Sequence, residues 1–194
     1  MNLPNRLTVT RVILIPFFVI FLLCWHGTDL DPVMRLIADI IFIAASITDA
    51  LDGHIARSRN LITNFGKFMD PLADKLLVVS AFICLMYLGQ IPVYFVLIVV
   101  AREFIISGFR LIAAENGLVI AASYWGKFKT AFSMVTVIVM VLTIDNKYLV
   151  FAPDKVNMFF YILGQILMWI SLVLTVISLI DYIVKNKNVL KEQG

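Results

Sequence analysis

Charged residues are scarce in this chain. Of its 194 residues only 15% are Asp, Glu, Lys or Arg, whereas 61% are hydrophobic, and the mean hydropathy is +0.96. A water-soluble domain carries about 25% charged residues because it needs a polar surface around its core. The shortage of charge therefore excludes an ordinary soluble domain, and we expect an all-α integral membrane protein.

Cysteine and histidine are almost absent, with two residues of each. Cys24 and Cys84 both lie in apolar runs without CxxC spacing, so we expect neither a disulfide nor a thiolate metal site. His26 and His54 lack ligand spacing and are expected to be solvated or structural. A net charge of only +3, without basic residues interleaved with aromatics, also argues against nucleic-acid binding.

Apolar runs of about 20 residues predict six transmembrane helices in one membrane domain, residues 1–194. The predicted spans are Leu7 to Trp25, Val33 to Arg57, Pro71 to Leu88, Pro92 to Glu115, Gly126 to Ile144, and Val156 to Val184. Bulky residues follow the first run where a signal peptide would have a small-residue cleavage site, so this run is interpreted as a span.

The distribution of Lys and Arg predicts the topology. Most lie in the terminal segments and in the connections after the second and fourth spans, whereas the opposite side holds Arg35, Lys147 and Lys155. By the positive-inside rule, both termini and the segment 49–75 face the cytoplasm, in a cell membrane. Several cations are expected only to anchor the chain to lipid headgroups. These are Arg59, Lys75, Lys129, Lys185, Lys187 and Lys191.

Two pairs of aspartates interrupt this apolar pattern. Asp49 and Asp52 are three residues apart and Asp70 and Asp74 are four apart, so each pair shares one face of a helix. Buried carboxylates are costly in a membrane unless they face a partner or a cavity. Four converging oxygen ligands suit hard divalent ions such as Mg²⁺ or Mn²⁺. Asp39 lies too far along its helix to join them and is expected to face another helix or a polar cavity.

Small residues and one arginine accompany the acids. Gly53, Ala56 and Gly66 allow a ligand to approach the backbone, and the planar guanidinium of Arg57 suits phosphate oxygens. Metal ligands beside such residues indicate a diphosphate site in a polar cavity on the cytoplasmic side. Three alternatives remain: an ion path in a transporter, a purely structural membrane protein, and, for Asp70 before Pro71, a helix N-cap.

The pattern D-x2-D-G-x2-A-R-x8-G-x3-D-x3-D, from Asp49 to Asp74, resembles the motif of the CDP-alcohol phosphatidyltransferase family. The resemblance implies transfer of a phosphatidyl group from a CDP-linked lipid such as CDP-diacylglycerol to an alcohol, with release of CMP and with two divalent cations. It implies that the four aspartates hold the metals and that Asp74 is also the catalytic base. The implied CDP-lipid contacts are Asn5, Thr8, Gly53, Ala56, Arg57, Thr63 and Gly66. It also implies a homodimer.

Basic residues outside the motif predict the acceptor alcohol. Arg102 and Arg110 lie eight residues apart on roughly one helix face, Lys127 opens the fifth span, and Lys67 precedes Asp70. Such a cluster suits the phosphate of an anionic acceptor. Other stretches, such as AREFIISGFRLIAAENG, resemble the branch that uses glycerol 3-phosphate, which we expect here. Inositol phosphate, serine and phosphatidylglycerol remain alternatives, and Arg102 is equally consistent with an ion pair to Glu103.

Overall fold

The computed structural model describes residues 3–58, 64–115, 123–146 and 153–186, and every regular element in these ranges is helical. The helices are α1 (Leu3–Leu23), α2 (Asp31–Ser58), α3 (Asn64–Tyr87), α4 (Val93–Glu115), α5 (Tyr124–Leu142) and α6 (Asp154–Asn186), with a 3-10 turn at Ile144–Asn146. The six predicted helices are therefore all present. Since α3 begins at Asn64 and continues through Pro71, the interpretation of Asp70 as a helix N-cap is wrong.

Three of the helices are long and apolar enough to cross a membrane within the described residues. They are Asn5–Leu23 of α1, Tyr124–Leu142 of α5 and Asp154–Asn186 of α6. By length and composition, these three helices are candidate membrane spans, as expected for a membrane protein. The other three helices were also predicted to be spans, but they contain too many charged residues to be identified as spans by composition.

Two kinds of packing hold the bundle together. α1 packs against α2 and α3 through large apolar side chains, among them Phe18 and Phe42 with ring centroids 5.6 Å apart. α5 and α6 pack through small and polar residues: Ser133 Oγ lies 3.0 Å from Ser171 Oγ, and a Cβ added at Gly164 would lie 3.3 Å from Met140 Cγ. Close approach of small residues is the usual means of helix association in lipid, where apolar burial supplies little driving force.

An ion cluster centred on the buried side chains of Arg35 and Asp31 joins the α1–α2 connection to the end of α5. Arg35 donates from Nε to Asp31 Oδ1 at 2.6 Å, from Nη1 to the Ile144 carbonyl at 2.7 Å and from Nη2 to Asp145 Oδ2 at 3.2 Å. His26 Nδ1 lies 3.3 Å from Asp31 Oδ2. We call Arg35, Asp31, Asp145 and His26 the Arg35 cluster. It fixes the start of α2 against the 3-10 turn.

Candidate active site

A cavity of about 460 Å³ opens where α2, α4 and α6 end and where α3 and α5 begin. Its lining residues include Ser46 of α2, Asp74 and Lys75 of α3, Arg102, Glu103 and Arg110 of α4, Ser123, Gly126, Lys127 and Thr130 of α5, and Tyr182 of α6. The alternating direction of the helices brings these distant residues together. The structure thus contains a polar cavity at one end of the bundle.

Two helices carry the predicted metal ligands toward this end. Asp49 and Asp52 belong to the last part of α2, whereas Asp70 and Asp74 belong to the first part of α3, and the two helices pack against each other. The side chain of Asp74 is described and lines the cavity, whereas those of Asp49, Asp52 and Asp70 lie outside the described residues. Helical backbone at both pairs keeps each pair on one face, and an all-carboxylate donor set fits a hard divalent cation.

Most of the predicted CDP-lipid contacts lie outside the described side chains. This holds for Gly53, Ala56 and Arg57 on α2 and for Gly66 on α3, whose backbone is helical, whereas Thr63 lies outside the described residues altogether.

Asn5 and Thr8 are described, and both are buried in the first turns of α1. Arg11, one turn further, is also fully buried. α1 packs on α2 and α3, the helices that carry the acids. The burial of Arg11 was not predicted, although an arginine beside an apolar run is a signal of a buried charge.

Three of the four predicted acceptor-phosphate residues meet at the cavity. Arg102 is 8% exposed, whereas Arg110 and Lys127 are exposed side chains on the cavity wall. The guanidinium of Arg110 lies over the Tyr182 ring, 6.0 Å from its centroid, and Lys127 Nζ lies 5.7 Å from the Tyr124 ring centroid. The side chain of Lys67, on α3, lies outside the described residues.

The ion pair considered for Arg102 is present. Its Nη1 donates to Glu103 Oε1 at 2.8 Å and its Nε donates to Ser178 Oγ at 3.1 Å. A Cβ added at Gly126 would lie 3.4 Å from Arg102 Nη2, so the glycine leaves the guanidinium room beside the first turn of α5. Arg102 therefore combines an ion pair with a place on the cavity wall.

Two lysines expected to be lipid anchors are part of the site instead. Lys129 is 4% exposed and donates from Nζ to Glu103 Oε1 at 2.6 Å. Lys75 donates to Ser107 Oγ and lines the cavity. The anchor interpretation of Lys129 and Lys75 is wrong because both lysines lie on inward faces of their helices. For Lys129 the signal was available: Lys129, Ser133, Thr136 and Met140 form a buried stripe at helical spacing.

Two other groups lie apart from the cavity. Asp39 is 2% exposed, and its Oδ1 has no hydrogen-bond partner among the residues that the structure describes. His26, Asp31 and Asp145 bring their ligand atoms within 4.8 Å of one another, an arrangement that is able to hold a metal ion. Arg35 already forms ion pairs with both carboxylates there, so this donor set suits a cation less well than the four aspartates do.

Comparison with known proteins agrees with this arrangement. The family model of CDP-alcohol phosphatidyltransferase matches residues 1–177. A Bacillus subtilis protein named CDP-diacylglycerol--glycerol-3-phosphate 3-phosphatidyltransferase is 40% identical over 98% of this chain and 97% of its own length. A Rickettsia bellii protein of the same name is 36% identical over 93% of each chain. A Mycobacterium tuberculosis protein named probable phosphatidylglycerophosphate synthase is 34% identical over 95% of this chain and 81% of its own length. The chain is a transferase and belongs to the CDP-alcohol phosphatidyltransferase family.

Proposed function

We propose that this enzyme transfers the phosphatidyl group of CDP-diacylglycerol to sn-glycerol 3-phosphate, giving phosphatidylglycerophosphate and CMP in phospholipid biosynthesis. The observation that carries the proposal is the shared cavity of Asp74 with Arg102, Arg110 and Lys127. A base and three cations around one cavity match an acceptor that has both a hydroxyl group and a phosphate. The names of the relatives support the same pair of substrates.

The reaction needs a proton acceptor beside the acceptor hydroxyl. In our proposal Asp74 takes the hydroxyl proton, the oxygen attacks the phosphatidyl phosphorus, and the bond from that phosphorus to CMP breaks. Arg102, Arg110, Lys127 and Lys67 hold the acceptor phosphate, which directs the hydroxyl toward Asp74. The start of α5 adds its positive helix end beside Lys127. Holding the acceptor hydroxyl in one position and orientation supplies much of the enhancement of the transfer rate.

The four aspartates would hold two divalent cations, Mg²⁺ or Mn²⁺, which neutralise the diphosphate of the lipid substrate and stabilise the departing CMP. Carboxylates alone, without His or Cys, make the set selective for such hard ions.

Small residues and one arginine would receive the CDP group next to these acids. Gly53, Ala56 and Gly66 allow close approach of the diphosphate, and Arg57 pairs with its oxygens. Asn5, Thr8 and Thr63 complete the pocket around the nucleotide.

We further propose that all six helices cross the cell membrane as one domain, residues 1–194, with both termini and the cavity facing the cytoplasm. Exposed aromatic residues support two interfaces: Tyr124 and Trp125 lie at the cavity end, whereas Tyr87 and Tyr94 lie at the opposite end. Tyr and Trp favour the headgroup regions of a bilayer. The exposed apolar side chains between these ends would contact lipid or a second copy of the chain in a homodimer.

An acceptor panel tests this function. Purified protein receives CDP-diacylglycerol, Mg²⁺ and one acceptor, and CMP release is measured with glycerol 3-phosphate, inositol phosphate, serine or phosphatidylglycerol. We expect release with glycerol 3-phosphate to exceed the others by at least about tenfold, since serine has no phosphate to occupy the cationic wall. Release with another acceptor but not with glycerol 3-phosphate would refute the named acceptor and retain the family chemistry.

A pair of variants links the panel to the cavity. Arg110→Gln removes a cation from the cavity wall, whereas Lys155→Gln removes an exposed cation at the start of α6, the other end of the bundle. We expect Arg110→Gln to raise the KM for glycerol 3-phosphate about tenfold and Lys155→Gln to leave it unchanged. Equal effects of the two substitutions would contradict the assignment of the cavity to the acceptor. CMP release without any acceptor, or its absence under all conditions, would contradict the transfer itself.

A further inference from the structure

Glu103 holds two buried cations with one oxygen atom. Its Oε1 accepts from Arg102 Nη1 at 2.8 Å and from Lys129 Nζ at 2.6 Å. The side chains of Glu103, Arg102 and Lys129 are 12%, 9% and 5% exposed, in that order. Charge-assisted hydrogen bonds between buried groups fix side-chain positions far more firmly than exposed ion pairs do. The arrangement therefore does more than balance charge at the surface.

Arg102 is held from two sides. Glu103 binds Nη1, and Ser178 of α6 accepts from Nε at 3.1 Å. The remaining nitrogen, Nη2, lies on the side of Gly126, where a side-chain Cβ would be only 3.4 Å away. Gly126 itself lines the cavity. Two bonds and one missing side chain thus set the orientation of the guanidinium at the cavity wall.

Repulsion makes the carboxylate necessary for this orientation. Lys75, Arg110 and Lys127 line the same cavity as Arg102, and Lys129 lies directly behind Glu103. Without the negative charge of Glu103, the repulsion between Arg102 and Lys129 would not be offset, and Asp74, the other carboxylate among the described lining residues, would attract both. Glu103 therefore keeps the two cations in place and away from the proposed base.

We propose that Glu103 is a positioning residue for acceptor recognition: together with Ser178 it aims Arg102 at the phosphate of the acceptor. This inference rests on the proposed function, because it presumes an acceptor with a phosphate group. Glu103 itself does not contact the reacting atoms. Its effect is on the affinity for the anionic acceptor, and the affinity for the CDP-lipid is independent of it.

The test measures KM for each substrate in the full-length protein. Glu103→Gln keeps the shape of the side chain and removes its charge. We expect the KM for glycerol 3-phosphate to rise about tenfold or more, the loss typical of one charge-assisted hydrogen bond, and the KM for CDP-diacylglycerol to stay within about twofold. Ser178→Ala, which removes the second support of Arg102, shifts the same KM in the same direction. Asp145→Asn removes an ion-pair partner in the Arg35 cluster and serves as the control without effect on either KM.

A double variant separates positioning from charge balance. Lys129→Met combined with Glu103→Gln removes one charge of each sign, so it restores the balance of the wall and keeps a folded protein available if the single variant is unstable. We expect the double variant to recover the thermal stability of the wild type while its KM for glycerol 3-phosphate stays high. Recovery of that KM together with stability would overturn the positioning role, as would an unchanged KM in both Glu103→Gln and Ser178→Ala. A wild-type protein that is inactive with glycerol 3-phosphate would instead overturn the proposed function.

Discussion

Replacing Arg35 by Met should destabilise the protein without changing its reaction. Arg35 is 6% exposed and supplies the central cation of the Arg35 cluster. The substitution keeps a long side chain, so the volume of the site changes little. Among the described residues, it leaves the buried carboxylate of Asp31 with the backbone N–H of Gly27, at 3.1 Å, and the His26 ring as its remaining partners. It also removes the donor to the Ile144 carbonyl.

The size of the effect follows from these contacts. Breaking a buried ion pair by removing one partner costs about 3–5 kcal/mol, because the other charge stays buried without compensation. For a chain of this length that corresponds to a fall in melting temperature on the order of 10 °C. Asp145 is exposed, so Asp145→Asn should cost at most about 1 kcal/mol. Asn also tolerates the positive φ of 58° at this position, which makes Asp145→Asn a matched control.

Thermal unfolding of the purified protein in detergent measures both effects. We expect Arg35→Met to melt far below the wild type, Asp145→Asn to melt close to it, and the double variant Asp31→Asn/Arg35→Met to recover much of the loss. The KM values of the folded variants should be unchanged, since Asp31 and cavity residue Ser46 lie roughly 22 Å apart along α2. A melting temperature of Arg35→Met within about 2 °C of the wild type would refute the reasoning.

Three further predictions concern the base, the α5–α6 contact and acid stability. Asp74→Asn should lower CMP release at least about a hundredfold at an unchanged level of membrane-inserted protein, and near-normal release would exclude Asp74 as the base. Gly164→Ile should lower the melting temperature, because the added methylenes collide with Met140 at a cost of about 1–3 kcal/mol. Gly108→Ile should not, because no described residue lies within 4 Å of a Cβ added there. Burial favours the neutral acid at Asp31, but Arg35, the Gly27 N–H and His26 together hold the pKa of this carboxyl group below the ordinary 3.8. The ionised carboxylate therefore stabilises the folded protein fully above pH 3.8, and this stabilisation is lost as the pH falls through the lowered pKa. The difference in melting temperature between wild type and Asp31→Asn should therefore shrink below pH 3.8, and a difference that grows there would contradict this sign.

The six helices were predictable because each is a long apolar run bounded by polar residues. The grouping of Arg102, Arg110 and Lys127 was also predictable in outline, since charged side chains inside apolar runs are costly and must face a partner or a cavity. The pair of Arg102 with its neighbour Glu103 was one of the two alternatives predicted, whereas the contacts with other helices were not predictable. Glu103 bonds to Lys129 of another helix, and Ser178 lies on α6, so both contacts depend on how the helices rotate and pack. Spacing within one helix carries no information about that rotation.

The three helices that contain too many charged residues to be identified as spans by composition are the ones that carry most of the site. α2, α3 and α4 have 28, 24 and 23 residues, each longer than the roughly 20 that a bilayer requires, so length is not the reason. The reason is charge: α2 carries Asp49 and Asp52, α3 carries Asp70 and Asp74, and α4 carries Arg102 and Glu103. Described members of this group, Asp74, Arg102 and Glu103, line the cavity, where their charges meet one another and water instead of lipid. A limit on the number of charged residues treats them as if they faced the bilayer, so it cannot identify a span whose charges face a cavity.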